Sequence, residues 1–240
     1  MKFWLIMVLL CCVAQPLQAS SPLDELTFIT EIYPPYSFVE EGRPRGISVE
    51  LLTEILRAAR SRQTRDDIQV LPWSEGYQRA LTEPNTVLFS TARTAEREHL
   101  FQWAGPIAPT RTVLLAQRQR GIRLQDFAQI AQQDLQIAAV KNSAGHQLLL
   151  REGLEAGHIH AVDNGRAAAQ LLHDGTVDLW VTEELVGRWL FDDMGFGSRT
   201  VQAIFVLRET PMYFAIHLDT PRDHVYLLQD TLDHIEATRQ

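Results

Sequence analysis

Cysteine is almost missing from this chain: 240 residues contain 2, Cys11 and Cys12, adjacent to each other near the start. Both fall in a segment that reads as a removable leader. The chain left after its removal therefore excludes disulfides, thiolate catalysis and cysteine-based metal sites. Long basic runs are also missing, and the net charge is −8, which argues against nucleic acid and an anionic membrane surface as partners. The one cationic cluster, Arg57, Arg60, Arg62 and Arg65, is followed by Asp66 and Asp67 and reads as a solvated helix end. There is no Gly-x-Ser-x-Gly elbow, no phosphate loop and no dinucleotide fingerprint, and Gly195-Phe-Gly197 lacks the strand such a fingerprint requires. His158-Ile-His160 places two imidazoles on one face of a short strand, with no third ligand at metal-site spacing. No metal and no cofactor are expected. No nucleophile, base and orienting group stand together in the sequence.

What is present begins with a secretory signal over residues 1–19. Lys2 supplies the positive start, residues 3–13 the apolar core, and Leu17-Gln-Ala19 a small-residue cleavage site. The apolar run is too short to span a bilayer. Lipidation at Cys11 or Cys12 is not expected, because Leu10 stands where lipoprotein signals carry Gly or Ala. An exported chain without cysteine, behind a bacterial-looking signal, points to the periplasm.

After the leader, strand-like and helix-like segments alternate. The expected strands are 26–29, 68–71, 86–89, 112–116, 135–140, 159–162, 177–181, 201–206 and 213–217. The expected helices are 47–60, 75–81, 124–131, 143–154, one capped by Asn164 and closed by Gly175, 183–191 and 223–235. Ile47, Leu51, Leu52, Ile55 and Leu56 supply one apolar face of the first helix. Strands separated by single helices imply parallel sheets with crossovers. Two such sets, the second inserted before the chain returns, give an α/β fold of two doubly wound lobes joined by two crossings. The expected division is residues 20–111 with 212–240 in one lobe and 112–211 in the other.

Ligands in such sheets bind beyond the carboxyl ends of the strands, so the residues just after each strand matter most. The strand 86–89 ends in Ser90, and Thr94 then offers a cap for a helix whose first turn would hold Arg97. A guanidinium beside free backbone N–H groups and a positive helix end favours an anion. Pro34 and Pro35 stiffen the loop after the first strand, leaving Tyr33 and Tyr36 either to stack on a ligand or to pack locally. Trp73 follows the second strand and reads alone as a core residue. Ser143, beyond Lys141, caps the next helix and offers a second anion site or a simple structural cap. Glu183 stands at a helix start, either for the dipole or for a ligand ammonium.

These residues in this order resemble the family 3 bacterial extracellular solute-binding proteins, the amino-acid-type periplasmic receptors of ABC importers, over nearly all of the chain after the leader. The resemblance rests on Tyr33-Pro-Pro-Tyr-Ser-Phe38, Gly46 before the first helix, Trp73, the segment Ser90 to Arg97 with its Thr-x-x-Arg, Asn142-Ser-Ala-Gly145 and the acid Glu183. It implies a type II periplasmic-binding-protein architecture with a two-strand hinge. It further implies that Arg97 holds a ligand carboxylate with Ser90 and Ser143 nearby, that Glu183 meets the ammonium, and that Tyr33 and Trp73 sandwich the side chain. The sequence departs from the family pattern at Ala92, at Glu183 in place of Asp, and at Ser143-Ala144. Arg93 and Lys141 add cations that suggest a second anionic group on the ligand, with Tyr36 a further contact.

The function so implied is capture of a small carboxylate-bearing solute by a monomeric receptor that delivers it to an inner-membrane permease. Two rivals remain: a periplasmic dehydratase acting on prephenate-like acids, with Glu183 or His146 as general acid, and a stand-alone ligand-sensing module. Cleavage after Ala19 predicts that the exported protein starts at Ser20. Intact-mass measurement of periplasmic material tests this, and a retained or lipidated leader contradicts it.

Overall fold

The computed structural model describes residues 20–239. The expected signal peptide and both cysteines lie outside the described residues.

The elements of the first lobe are β1 (Thr27–Thr30), a hairpin of β2 (Phe38–Glu40) and β3 (Arg43–Arg45), α1 (Ile47–Ala58), β4 (Gln69–Val70), α2 (Trp73–Thr82), β5 (Thr86–Ala92) and β6 (Gln102–Ala108). The chain then builds β7 (Arg111–Gln117), a short α3 (Gln129–Gln132), β8 (Ile137–Val140), α4 (Ala144–Arg151), β9 (Ile159–Val162), α5 (Gly165–His173), β10 (Leu179–Glu183), α6 (Glu184–Asp193) and β11 (Val201–Glu209). It returns through β12 (Met212–Ile216) and ends in α7 (Arg222–Arg239).

Two five-stranded sheets result, ordered β4-β1-β5-β12-β6 and β11-β7-β10-β8-β9. Each keeps a parallel group joined by crossover helices: β4, β1 and β5 in one, β10, β8 and β9 in the other. The remaining strands run antiparallel. β12 lies between β5 and β6, opposed to both, while β7 opposes β10 and β11. The sheets are thus mixed rather than purely parallel, because the strands flanking the crossings are not delivered by crossover helices. The two crossings touch. Thr210 N donates to Thr110 O at 3.1 Å, and Thr110 Oγ1 donates to Thr210 O at 2.5 Å.

Period-two alternation sets the cores. Phe28, Val87, Phe89 and Phe214 face α1 and α7, where Leu52, Ile55, Leu228 and Leu232 cover them. Ile29, Leu88 and Ala215 face the opposite side, against Trp73, Tyr77 and Phe101. β5 is therefore buried on both faces, as its composition implies. In the second sheet Val113, Leu115 and Trp180 pack on α5 and α6, while Leu114, Ile137 and Val181 face α4.

Four local expectations are corrected. No helix starts at Thr94: Arg97 N donates to Thr94 O at 3.0 Å and Leu100 N to Arg97 O at 2.9 Å, a pair of turns. The chain must reverse there to enter β6 at Gln102, with Arg97 and Phe101 both drawn inward. The helix expected over 124–131 shrinks to α3. Asp126 Oδ1 accepts from Gln129 N at 3.1 Å and Gln129 Oε1 from Gln125 N at 3.0 Å, side-chain bonds that compete with a helical backbone. Gly105-Pro106, a dipeptide that reads as a turn signal in the sequence, lies instead inside β6, tolerated because β6 is an edge strand. Ile47 is half exposed at 52% and stands off the apolar face of α1, which Val49 joins instead.

Gly46 fixes the aromatic loop against α1. Its φ is +115°, and a Cβ there would lie 2.4 Å from Tyr36 O and 2.7 Å from Pro35 O. This close approach lets two helix-start donors, Ile47 N and Ser48 N, reach Pro35 O at 3.1 Å and Tyr36 O at 3.0 Å. Gly46→Ala is expected to lower stability by more than about 1 kcal/mol. Urea unfolding measures it, and an unchanged midpoint contradicts the packing described.

Candidate functional site

The carboxyl ends of β1 and β5 face those of β8 and β10, the place where open α/β sheets bind ligands. Between them lies a cavity of about 60 Å³, lined among others by Glu31, Tyr33 and Ser90 from the first lobe and Ser143, Thr182 and Glu183 from the second. A more open cleft of about 440 Å³ shares Glu31, Ile32 and Gly165 with it and extends past Trp73 to Asp163, Asn164 and Arg166.

Four of the residues singled out in the sequence line the inner cavity. Tyr33 closes a turn with Ser37 and stacks on Tyr36, ring centres 6.0 Å apart. Burial, with Glu183 and Glu31 nearby, raises its phenol well above the usual range, so it stays a donor. Ser90 sits at φ +60°, a left-handed kink that turns β5 at the cavity. Its Oγ is 3.4 Å from Ser37 Oγ, which in turn accepts from Thr30 Oγ1 at 2.9 Å. Ser143 caps α4 by accepting from His146 N at 3.1 Å. Glu183, 4% exposed, caps α6 by accepting from Val186 N at 2.9 Å. Burial raises its carboxyl pKa, against the lowering effect of the helix-start N–H groups.

Arg97 differs from its expected placement. It is 1% exposed and packed behind the cavity, not lining it. Its guanidinium carbon lies 5.0 Å from the Trp73 ring centre and 5.1 Å from that of Tyr77. Nη1 donates to Ala92 O at 3.4 Å and Nη2 to Asn142 O at 3.0 Å, one carbonyl from each lobe, and Nε is buried without a partner. The reason is the missing helix: without it Arg97 turns inward onto aromatic faces and carbonyls.

Trp73 opens α2 itself and is buried against Tyr77, rings stacked at 5.5 Å. It borders the outer cleft rather than facing Tyr33 across the inner cavity. Tyr36 is buried in the core of the second sheet and does not line the cavity. The two extra cations are also not free for a ligand. Arg93 pairs with Glu98 at 2.5 Å over the rings of Trp103 and Tyr213, and Lys141 pairs with Asp163 at 2.7 Å. His146 lies outside the lining, its Nδ1 accepting from Asn142 N at 3.2 Å, and burial lowers its pKa.

Glu31 is the residue that sequence reading passed over. It follows β1 directly and lines both the cavity and the cleft. Desolvation pushes its carboxyl up to about 8, against the attraction of Arg97. Its position one step beyond a strand end was the available signal. The lobes also meet at Glu96, which pairs with Arg151 of α4 and, at 3.9 Å, with Arg208 of β11.

No protein-family model matches the chain, and no curated protein matches it in sequence. Solved structures match its fold. A histidine kinase sensor domain with similarity to periplasmic binding proteins superposes with a TM-score of 0.75 at 17% identity, covering 89% of this chain and 92% of its own. The chain has the periplasmic-binding-protein fold. The same fold relates it to an ABC uptake transporter substrate-binding protein from Streptococcus pneumoniae with bound histidine, at TM-score 0.76, 12% identity and coverage of 90% and 89%. The arginine-, lysine- and histidine-binding protein ArtJ from Geobacillus stearothermophilus follows at TM-score 0.72, 14% identity and coverage of 88% and 90%. Among the described residues no helix is long and apolar enough to cross a membrane.

The raised Glu31 carboxyl links stability to pH. Its folded pKa of about 8 lies above the ordinary 4.5, so its contribution is fully present below 4.5 and is lost as pH rises through 8. Glu31→Gln is therefore expected to melt higher than the parent protein at pH 9 and to differ little at pH 4.5. Thermal unfolding at the two pH values tests this. A parent protein that is the more stable at pH 9 contradicts it.

Proposed function

We propose that this chain is a periplasmic solute receptor of the family 3 type, capturing a small carboxylate-bearing ligand, an amino acid or related polar acid, for delivery to an ABC permease. The observation that carries this reading is the cavity at facing strand ends, lined from both lobes and holding the hydroxyls of Ser90 and Ser143 and the carboxyls of Glu31 and Glu183. Residues 20–111 with 212–240 and residues 112–211 would move as two bodies about the paired Thr110 and Thr210. The amino-acid ligands of the Streptococcus and Geobacillus proteins favour an amino acid here too.

In this reading Arg97 is the carboxylate anchor. It holds two neutral carbonyls and has an unpartnered Nε, and a carboxylate is the stronger acceptor. As the lobes part, Asn142 O leaves the guanidinium and a ligand carboxylate takes its place. Ser90 and Ser143 flank that position, Glu183 takes the ammonium, and Tyr33 and Trp73 border the ligand's side chain. Capture needs no catalytic base. The likeness to a kinase sensor domain favours, as a second reading, the same capture step used for signalling.

A thermal-shift screen over amino acids, small dicarboxylates and aromatic acids is expected to find a ligand, because a tight binder raises the melting temperature by mass action. Calorimetry should then show Arg97→Ala losing about a hundredfold or more in affinity. Unchanged affinity in that variant overturns the anchor. Because Arg97 is buried between the lobes, the same variant should also melt lower without ligand.

A further inference from the structure

The charged residues that line the inner cavity are all acidic among the described residues: Glu31 from the first lobe and Glu183 from the second, with no Lys, Arg or His in the lining. The neighbouring cations are committed elsewhere, Arg93 to Glu98, Lys141 to Asp163 and Arg97 to two carbonyls. Glu183 is partly compensated by the N–H groups at the start of α6. Glu31 has only the attraction of Arg97 to set against its desolvation. A carboxylate in such a place is unfavourable until a cation joins it.

An independent observation points to a missing partner. Three donors around the cavity and cleft are buried with no acceptor: Arg97 Nε, Trp180 Nε1 in the cavity wall and Trp73 Nε1 beside the outer cleft. Buried donors are rarely left unmatched in a finished site. Unmet donors together with two carboxyls that no cationic side chain contacts describe the complement of a ligand that carries both an anion and more than one cation.

We propose that Glu31 determines the ligand class: a carboxylate-bearing molecule with a second cationic nitrogen, the chemistry of the basic α-amino acids. Glu183 meets one cation in the inner cavity. Glu31, shared by the cavity and the 440 Å³ cleft, meets the other where the ligand extends towards Trp73, whose ring adds a cation-binding face. The proposal rests on the receptor reading above and narrows its ligand.

Calorimetry on the mature protein with matched pairs tests it: arginine against its neutral isostere citrulline, and lysine against its neutral isostere 2-aminoheptanoic acid. The expected result is that a basic member binds at least about tenfold tighter than its isostere. Glu31→Gln should weaken the basic ligand about tenfold to a hundredfold, as an ion pair becomes a hydrogen bond to a neutral acceptor, and leave the isostere nearly unchanged. A melting curve of the variant confirms that it is folded. An isostere that binds as tightly as its basic partner, or a preference that survives in Glu31→Gln, overturns the proposal. So does a site that ignores arginine and lysine but binds other amino acids or acids, an outcome that leaves the receptor reading standing. If no carboxylate of any kind binds, the receptor reading falls and this proposal with it.

Discussion

A guanidinium buried between two sheets without a carboxylate in hydrogen-bonding contact is the constraint around which this molecule is arranged. Arg97 is held by a carbonyl from each lobe and by the faces of Trp73 and Tyr77. Neutral acceptors and ring quadrupoles compensate a desolvated cation only in part. The end of β5, the turns between Thr94 and Leu100, the aromatic start of α2 and the turn before α4 all converge on that one group. Glu96, next in sequence, adds a second link between the lobes through Arg151 and Arg208.

The charge pattern around this group is asymmetric. Donors lacking acceptors lie behind the cavity and in its wall, and carboxyls lacking cations line it. Each half is unfavourable alone, and a zwitterion satisfies both. The helix starts take part as well. Ser143 and Glu183 each use a side-chain oxygen to cap a helix while lining the cavity, so the same atoms serve the fold and the site.

Much of this was readable along the chain. Alternating strands and helices gave the two α/β units, because burial on both faces leaves a continuous apolar run in β5 and one apolar stripe in α1. Looking just beyond strand ends led to Tyr33, Ser90, Ser143 and Glu183. The misreadings have local physical causes. Thr94 offers a cap, yet the entry into β6 leaves no room for the helix it would start. Gly105-Pro106 reads as a turn, yet an edge strand accommodates it. Glu31 escaped notice because a carboxylate beside a loop is ordinarily solvated, and its desolvation arises only in the folded chain.

The sequence by itself determined the alternating α/β order, the strand ends at which polar residues gather, and the helix caps at Ser143 and Asn164, because these follow from periodicity and from bonds between near neighbours. Only the tertiary structure decided which charges are matched. Lys141 meets Asp163, Arg97 meets Asn142, and Glu96 meets Arg151 across separations that no local pattern encodes. Whether a charge is solvated, paired or left waiting depends on what the other lobe brings to it, and that is a property of packing in three dimensions.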